Sequence, residues 1–405
     1  MMSEQSSVED HIRALIAQQG RISFAQFMAS ALYEPGVGYY ADPARASESG
    51  DFFTSPAAHP AFGVLLTVQL HQMWLALERP EPFRVTELGA GSGLLADDIV
   101  GFSDSLDPVF ASAFAYQRLD RASQEFSAGI PGPGIDQDQP THCFLSNELL
   151  DAFPVHLFQI ENGTVREKFV TLRDDHFEFQ LDEISDPEIT ARIEPYLSEL
   201  PDGYESEICL GLTSWAQQLS ANVTSGYIIS VDYGYTRHAL YAPQRSLGTL
   251  QCHYRHTISA DPLARIGEQD ISAHVDFTAV DEAMAASGFE AIANVSQAEL
   301  LERSGIDKYL ERLIANGLAQ QDVQPNQYAL RALTEREGIG RFRAAIHAKN
   351  TPAHGIPDVA RRTAALFDKA VLPALDDDPR RVNLFAGAHG SGDQTTGTWG
   401  ELFGE

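Results

Sequence analysis

Residues Arg84 to Leu95, reading Arg-Val-Thr-Glu-Leu-Gly-Ala-Gly-Ser-Gly-Leu-Leu, constrain the fold more than any other stretch. Val85, Thr86 and Leu88 suit a buried strand, Gly89, Gly91 and Gly93 force a tight turn, and Leu94 to Val100 can continue as a helix. Such a unit binds nucleotide-like ligands, because glycines let the backbone come close and the new helix offers unpaired N–H groups. A dinucleotide fingerprint, Gly-x-Gly-x-x-Gly, needs glycine at position 94, where this chain has Leu94. The third glycine comes one residue early, which disfavours a nicotinamide-dependent dehydrogenase. Glu87, at the strand end, would repel a pyrophosphate but suits a ligand with a positive amino group and no phosphate, as in S-adenosylmethionine. On this stretch alone, an ordinary strand-to-helix turn remains open.

Other strand ends also carry polar groups. Phe114 to Asp120 reads as a short strand ending in an acid, placed to accept hydrogen bonds from ribose hydroxyls, with a helix expected over Arg121 to Phe126. Asp120 lies further from the glycine turn than usual, which a helix around Pro108 to Ala113 explains; a surface Asp starting a helix is the alternative. Cys143 to Ser146 forms another strand, followed by Asn147-Glu148-Leu149-Leu150-Asp151-Ala152-Phe153-Pro154. Three polar groups at a carboxyl strand end sit where open α/β sheets place active sites, although Asn147 and Asp151 could equally cap the turn. Tyr227 to Gly234 reads as a buried parallel strand ending in Asp232 and Tyr233.

The remaining elements follow from spacing. Helices are expected over residues 7 to 19, Phe24 to Leu32 and Phe62 to Leu77. Between them, Tyr33 to Gly63 is dense in Gly, Pro and aromatics, the pattern of a ligand-covering loop or of a packed irregular one. Residues 155 to 222 read as an insertion, with strands His156 to Ile160, Val165 to Leu172 and His176 to Leu181 around an Asn162-Gly163 hairpin turn, then helices near Glu188 to Leu200 and Thr213 to Val223. From His274 onward the order is helix (Asp276 to Ser287), strand (Ala291 to Val295), helix (Ala298 to Asn316) and strand (Phe342 to Ala348). The tail carries a helix about Val359 to Val371 and a Gly/Ser/Thr-rich stretch from Gly387 to Gly400, expected to be flexible. The fold class is therefore α/β: a mostly parallel sheet whose last strand runs antiparallel, helices on both faces, an N-terminal helical and loop cap, and an inserted hairpin with helices.

Composition excludes several functions. A formal net charge of −29 over 405 residues opposes binding to phosphate backbones or anionic lipid, so no nucleic acid is expected as a partner. No apolar run approaches the ~20 residues of a membrane span, so no membrane insertion is expected. The three cysteines, Cys143, Cys209 and Cys252, are unpaired in spacing, and Cys252-His253 with His256 lacks a second ligand cluster, so no metal is expected. The first twenty residues lack secretory or transit character, giving a cytoplasmic expectation.

Taken in order, these motifs resemble the MidA-type proteins, bacterial relatives of the mitochondrial complex I assembly factor, which have a class I S-adenosylmethionine-dependent methyltransferase fold. The resemblance spans roughly residues 20 to 350. It is carried by Leu32-Tyr33-x-Pro35, Gly38-Tyr39-Tyr40, Gly50-Asp51-Phe52-x-Thr54-Ser55-Pro56, Glu87 through Gly93, Asn147-Glu148-x-x-Asp151-Ala152-x-Pro154-Val155 and Asp232-Tyr233-Gly234. Gly248-Thr249-Leu250, His256, Asp270-Ile271 and His274-Val275-Asp276-Phe277 extend it. Asp120 stands where the family has Glu, and the tail from about 351 has no counterpart.

The resemblance implies a Rossmann-like class I sheet in a core of residues 81–350, with the insertion at about 155–222, an N-terminal segment 1–80 and a tail 351–405. It implies that Glu87, Gly89, Gly91 and Gly93 hold the methionine part of S-adenosylmethionine, that Asp120 binds the ribose, and that loops carrying Asp51 and Thr54 cover the cofactor. It further implies methylation of an arginine on a protein substrate, a complex I subunit or its equivalent. Glu148 and Asp151 would then be catalytic, Asn147 would position, and Asp232 and Tyr233 would line the substrate pocket. A non-catalytic scaffold that merely binds the cofactor is the other reading, and a homodimer is left open.

Overall fold

The computed structural model describes residues 7–41, 54–119, 140–255, 257–351, 363, 366–367 and 370–382. Its centre is a six-stranded sheet. In chain order the strands are β1 (Phe83–Leu88), β2 (Phe114–Leu119), β3 (Cys143–Asn147), β4 (Gly226–Asp232), β5 (Glu290–Ser296) and β6 (Arg343–Lys349), arranged β5-β6-β4-β3-β1-β2. The sheet is mixed. β2, β1, β3 and β4 pair in parallel, with Leu145 opposite both Glu87 and Ile229, whereas β6 runs antiparallel between β4 and β5.

The apolar runs in β3 and β4 follow from burial on both faces. Every residue of β4 is buried. On one face Val85, Leu145 and Ile229 pack with Phe62, Leu66, Leu95 and Ile99, from helices Ala61–Ala76 and Leu94–Leu106. On the other, Phe144 and Ile228 pack with Trp215 and Val280, from helices Leu212–Asn222 and Phe277–Ala286. Successive strand residues therefore feed opposite layers, as a pleated strand requires. Helix Ala61–Ala76, near the N terminus in sequence, is thus part of the same core as the sheet.

The stretch expected to be an insertion forms an antiparallel sheet from His156–Glu161, Thr164–Arg173, His176–Asp182 and Glu205–Ile208. Asn162 and Gly163 both have positive φ, 51° and 70°, the backbone that a two-residue hairpin turn demands. The N-terminal residues join this sheet, with Ile22 opposite Val170, and helices Val8–Gln19 and Phe24–Tyr33 share a core with its strands. The N-terminal cap and the insertion are one packed layer, a pairing that local spacing did not reveal.

Several elements differ from the sequence expectation. The helix expected over 298–316 breaks at Gly305, which takes φ 98°, into Gln297–Ser304, a 3-10 turn and Tyr309–Ala315. Residues 188–200 form only a short helix, Pro187–Ile193, and a 3-10 turn. The unexpected elements include strand Glu205–Ile208, helix Val323–Thr334, and a small sheet of Gln251–Tyr254, Thr257–Ser259 and Asp270–Ser272 within the polar stretch. The helix expected over 121–126 and the stretch 387–400 lie outside the described residues. Of the helix expected over 359–371, Thr363, Leu366 and Phe367 are described and helical, while Ala370 and Val371 are described and are not. Among the described residues no helix is long and apolar enough to cross a membrane.

Candidate active site

The glycine turn and the carboxyl ends of β1, β3 and β4 meet at one edge of the sheet. Gly89, Gly91 and Gly93 have φ of 71°, 49° and 77°, conformations that L side chains rarely adopt. A Cβ on Gly93 would stand 2.2 Å from an Arg118 Nη, and one on Gly89 would stand 2.9 Å from Leu149 Cδ1. Among the described residues no atom lies within 4 Å of a Cβ placed on Gly91. Behind the turn, Glu87 is buried and accepts a hydrogen bond from the Tyr116 hydroxyl at 3.0 Å. Burial and that carboxylate together hold the Tyr116 phenol well above its ordinary range.

At the end of β3 the chain turns through Glu148 with φ 50°, while its N–H donates to Val231 O on β4 at 2.8 Å. Asn147 Nδ2 donates to Glu148 Oε1 at 2.9 Å, and the Ser55 N–H also bonds the Glu148 carboxylate. Burial, and then the nearby Asp151 charge, push Glu148 up to about 8. Asp151 is itself pushed up to about 6 by burial, against the pull of the Tyr233 hydroxyl that donates to its Oδ2. Two acceptor atoms, Asn147 Oδ1 and Asp151 Oδ1, are buried without a partner of hydrogen-bonding geometry among the described residues. Buried acceptors of this kind call for a donor.

Asp232 does something different from its neighbours. Its Oδ2 accepts from the N–H groups of Leu149 and Leu150 at 3.0 and 2.8 Å, so it fastens the turn that carries Glu148 and Asp151. Burial and the Asp151 and Glu148 charges raise its pKa strongly. Tyr233 supplies the hydroxyl on Asp151, and its ring meets His274 edge-on at 5.1 Å. Burial lowers His274 to about 3, so this imidazole is neutral.

The loops reach the same place. Tyr33 donates to Ala152 O, Tyr40 donates to Asp270 Oδ1 at 2.7 Å, and Ala273 N–H donates to Asp151 O at 2.9 Å. Thr54 stands at the start of helix Ser55–Ala58 without capping it through its side chain. Asp51 and Asp120 lie outside the described residues.

The comparisons with known proteins agree with this geometry. A family model of S-adenosyl-L-methionine-dependent methyltransferases matches residues 65–128 and 132–295, more than half of the chain. The chain belongs to these MidA-type methyltransferases. The mitochondrial protein arginine methyltransferase NDUFAF7 of Rattus norvegicus is 28% identical over 342 residues, covering 75% of each chain. Its Drosophila melanogaster homolog is 27% identical over 384 residues, covering 84% of each. Among solved structures, a Burkholderia thailandensis protein bound to S-adenosyl-homocysteine is 28% identical, with a TM-score of 0.74 over 88% of this chain and 94% of that one.

The residues present fit the cofactor of this family. Among the described residues nothing crowds a Cβ at Gly91, and the turn is backed by the buried Glu87 carboxylate, a setting that suits a cationic methionine moiety lying against backbone. Sequence reasoning located Glu87, the three glycines, Asn147, Glu148, Asp151, Asp232 and Tyr233, and the structure brings these together. It missed Tyr116 on Glu87, the Ser55 backbone on Glu148, and Arg118 packed on Gly93. Tyr116 and Arg118 alternate on β2 toward the turn, so the period-2 pattern held a signal for them. The Gly248-Thr249-Leu250 motif also gains a role: Thr249 N–H donates to the buried Glu207 at 3.0 Å, and His274 N–H donates to Thr249 Oγ1 at 2.9 Å, tying the insertion to the site.

Proposed function

We propose that this methyltransferase modifies an arginine side chain of a protein, a respiratory complex I subunit or its equivalent, using Glu148 and Asp151 to receive the guanidinium. The observation that carries this reading is the pair of buried carboxyls, raised to about 8 and 6, beside Asn147 Oδ1 and Asp151 Oδ1, which are without a hydrogen-bond partner among the described residues. Such a set of acceptors is costly to bury alone and is satisfied by a planar cation with several N–H donors. The names of the NDUFAF7 relatives support the choice of acceptor.

S-adenosylmethionine supplies an electrophilic methyl group on a sulfonium. The chain supplies alignment and removal of water more than acid–base chemistry. Gly89, Gly91, Gly93, Glu87 and Asp120 bind the donor, with Asp51 and Thr54 in the covering loop. Glu148 and Asp151 orient the guanidinium through paired hydrogen bonds, and one of them takes the proton that the nitrogen loses as the N–C bond forms. Asn147 positions Glu148, Asp232 fixes the turn, and Tyr233 orients Asp151 at the acceptor side.

The central sheet is best read as the Rossmann-like class I methyltransferase sheet, within a core of 81–350 that carries the 155–222 insertion, an N-terminal segment 1–80 and a tail 351–405. A cytoplasmic location belongs to the same reading, which leaves the homodimer open. Incubating the full chain with methyl-labelled cofactor and a cell lysate, then hydrolysing the labelled protein, tests it. Label in methylarginine supports the proposal; label only in another residue or in small molecules refutes it.

A further inference from the structure

Residues 370–382 lie outside the span matched by the family model, yet they reach the glycine turn. Arg380 Nη1 donates to the Ser92 carbonyl at 3.1 Å and to Asp97 Oδ2 at 2.8 Å, in the first turn of the helix after the glycines. Asp378 aims this side chain, accepting from its Nε and Nη2 at 2.9 and 2.6 Å. The next residue, Arg381, has a buried side chain that pairs with Asp98 and donates to Pro56 O at 2.9 Å. Val382 N–H then donates to Ala57 O at 3.0 Å. One short segment is thus bonded to the cofactor turn on one side and to helix Ser55–Ala58 on the other, where the Ser55 N–H meets Glu148.

The Ser92–Gly93 peptide shows what the contact achieves. Its N–H donates to Ala90 O at 2.8 Å, and its C=O accepts from Arg380. A peptide unit is planar, so bonds at both ends fix its orientation. Glycines on either side would otherwise leave this turn many conformations.

We propose that residues 376–382 form a strap that holds the cofactor turn in its binding shape, with Arg380 as a positioning residue acting through the Ser92–Gly93 peptide. The strap acts on affinity for the donor, not on the acceptor carboxylates. Coupling between sites is reciprocal, so cofactor binding also steadies the strap.

S-adenosylhomocysteine binding to the full-length protein tests this without any methyl acceptor, so its outcome is separate from that of the arginine reading. Calorimetry should show Arg380→Ala weakening binding by about five- to tenfold, the loss of a charged hydrogen bond. Arg380→Lys should recover part of the affinity. In the wild-type protein, S-adenosylhomocysteine should slow amide hydrogen exchange across 376–382. Arg380→Ala binding as tightly as wild type overturns the proposal, and so does exchange in the strap that is unchanged by S-adenosylhomocysteine. Should Arg380→Ala lower stability, the wild-type exchange result decides.

Discussion

Asn147 Nδ2 and Glu148 Oε1, on adjacent residues, are hydrogen-bonded at 2.9 Å. Neighbours along a strand point to opposite faces, so this contact exists only because Glu148 leaves β3 with φ 50° and swings its carboxylate back beside Asn147. Left-handed backbone at a non-glycine residue costs roughly 1–2 kcal/mol, and strain of this kind gathers at functional sites. Glu148→Gln and Asp151→Asn should therefore lose turnover by about 10²-fold or more while keeping S-adenosylhomocysteine affinity. Steady-state kinetics beside calorimetry checks this, and unchanged turnover in both variants would remove these carboxylates from the mechanism.

The two carboxyls also set a pH profile. Glu148 and Asp151 must be ionised to accept from a guanidinium, and in the free protein they sit near 8 and 6. kcat/KM should rise as pH increases from about 6 to 8 and then level, with the two values belonging to the interacting set. Glu148→Gln should remove the upper limb.

Stability should run the other way. A carboxyl raised above its unfolded value binds its proton more tightly in the folded state. The Glu148 contribution is therefore fully present below its ordinary 4.5 and is lost as pH rises through about 8. The melting temperature of the cofactor-free protein should fall as pH rises from 4.5 to about 8. Glu148→Gln should flatten that fall in scanning calorimetry.

Gly91 separates folding from binding. Among the described residues no atom stands within 4 Å of a Cβ at Gly91, so Gly91→Leu begins with the cost of its positive φ, about 1–2 kcal/mol. The variant should fold, with far-ultraviolet circular dichroism like that of wild type, and should lose S-adenosylhomocysteine binding. Retained affinity would show that the cofactor does not lie against this turn.

Arg381 and Asp98 form a buried ion pair, with side chains 4% and 8% exposed. Removing one partner leaves the other charged and buried, which costs about 3–5 kcal/mol. Arg381→Ala should lower stability by that order in urea unfolding, and Arg381→Ala with Asp98→Ala together should cost less than the sum.

Much of the site was legible because its chemistry sits at strand ends, where short apolar runs such as Cys143 to Ser146 stop at polar residues. The helices expected over Phe24 to Leu32 and Pro108 to Ala113 form as Phe24–Tyr33 and Pro108–Ala113, within a residue of the expectation. What was not legible depends on distant partners. Ile22 pairs with Val170, and Arg380 reaches Ser92, across separations that no local period records. Helix Val323–Thr334 was missed because a proline at 325 and polar residues blur its apolar stripe, although Ala329, Leu330 and Leu333 are buried. The strand Glu205–Ile208 was missed because its buried Ser206 and Glu207 read as surface.

The most direct measurement of the central claim is the intact mass of a purified acceptor protein after incubation with S-adenosylmethionine and either wild type or the Glu148→Gln, Asp151→Asn double variant. The account predicts a gain of one or two methyl groups, mapped to an arginine, with wild type and none with the variant. A gain mapped to another residue type, or one that survives in the variant, would contradict it.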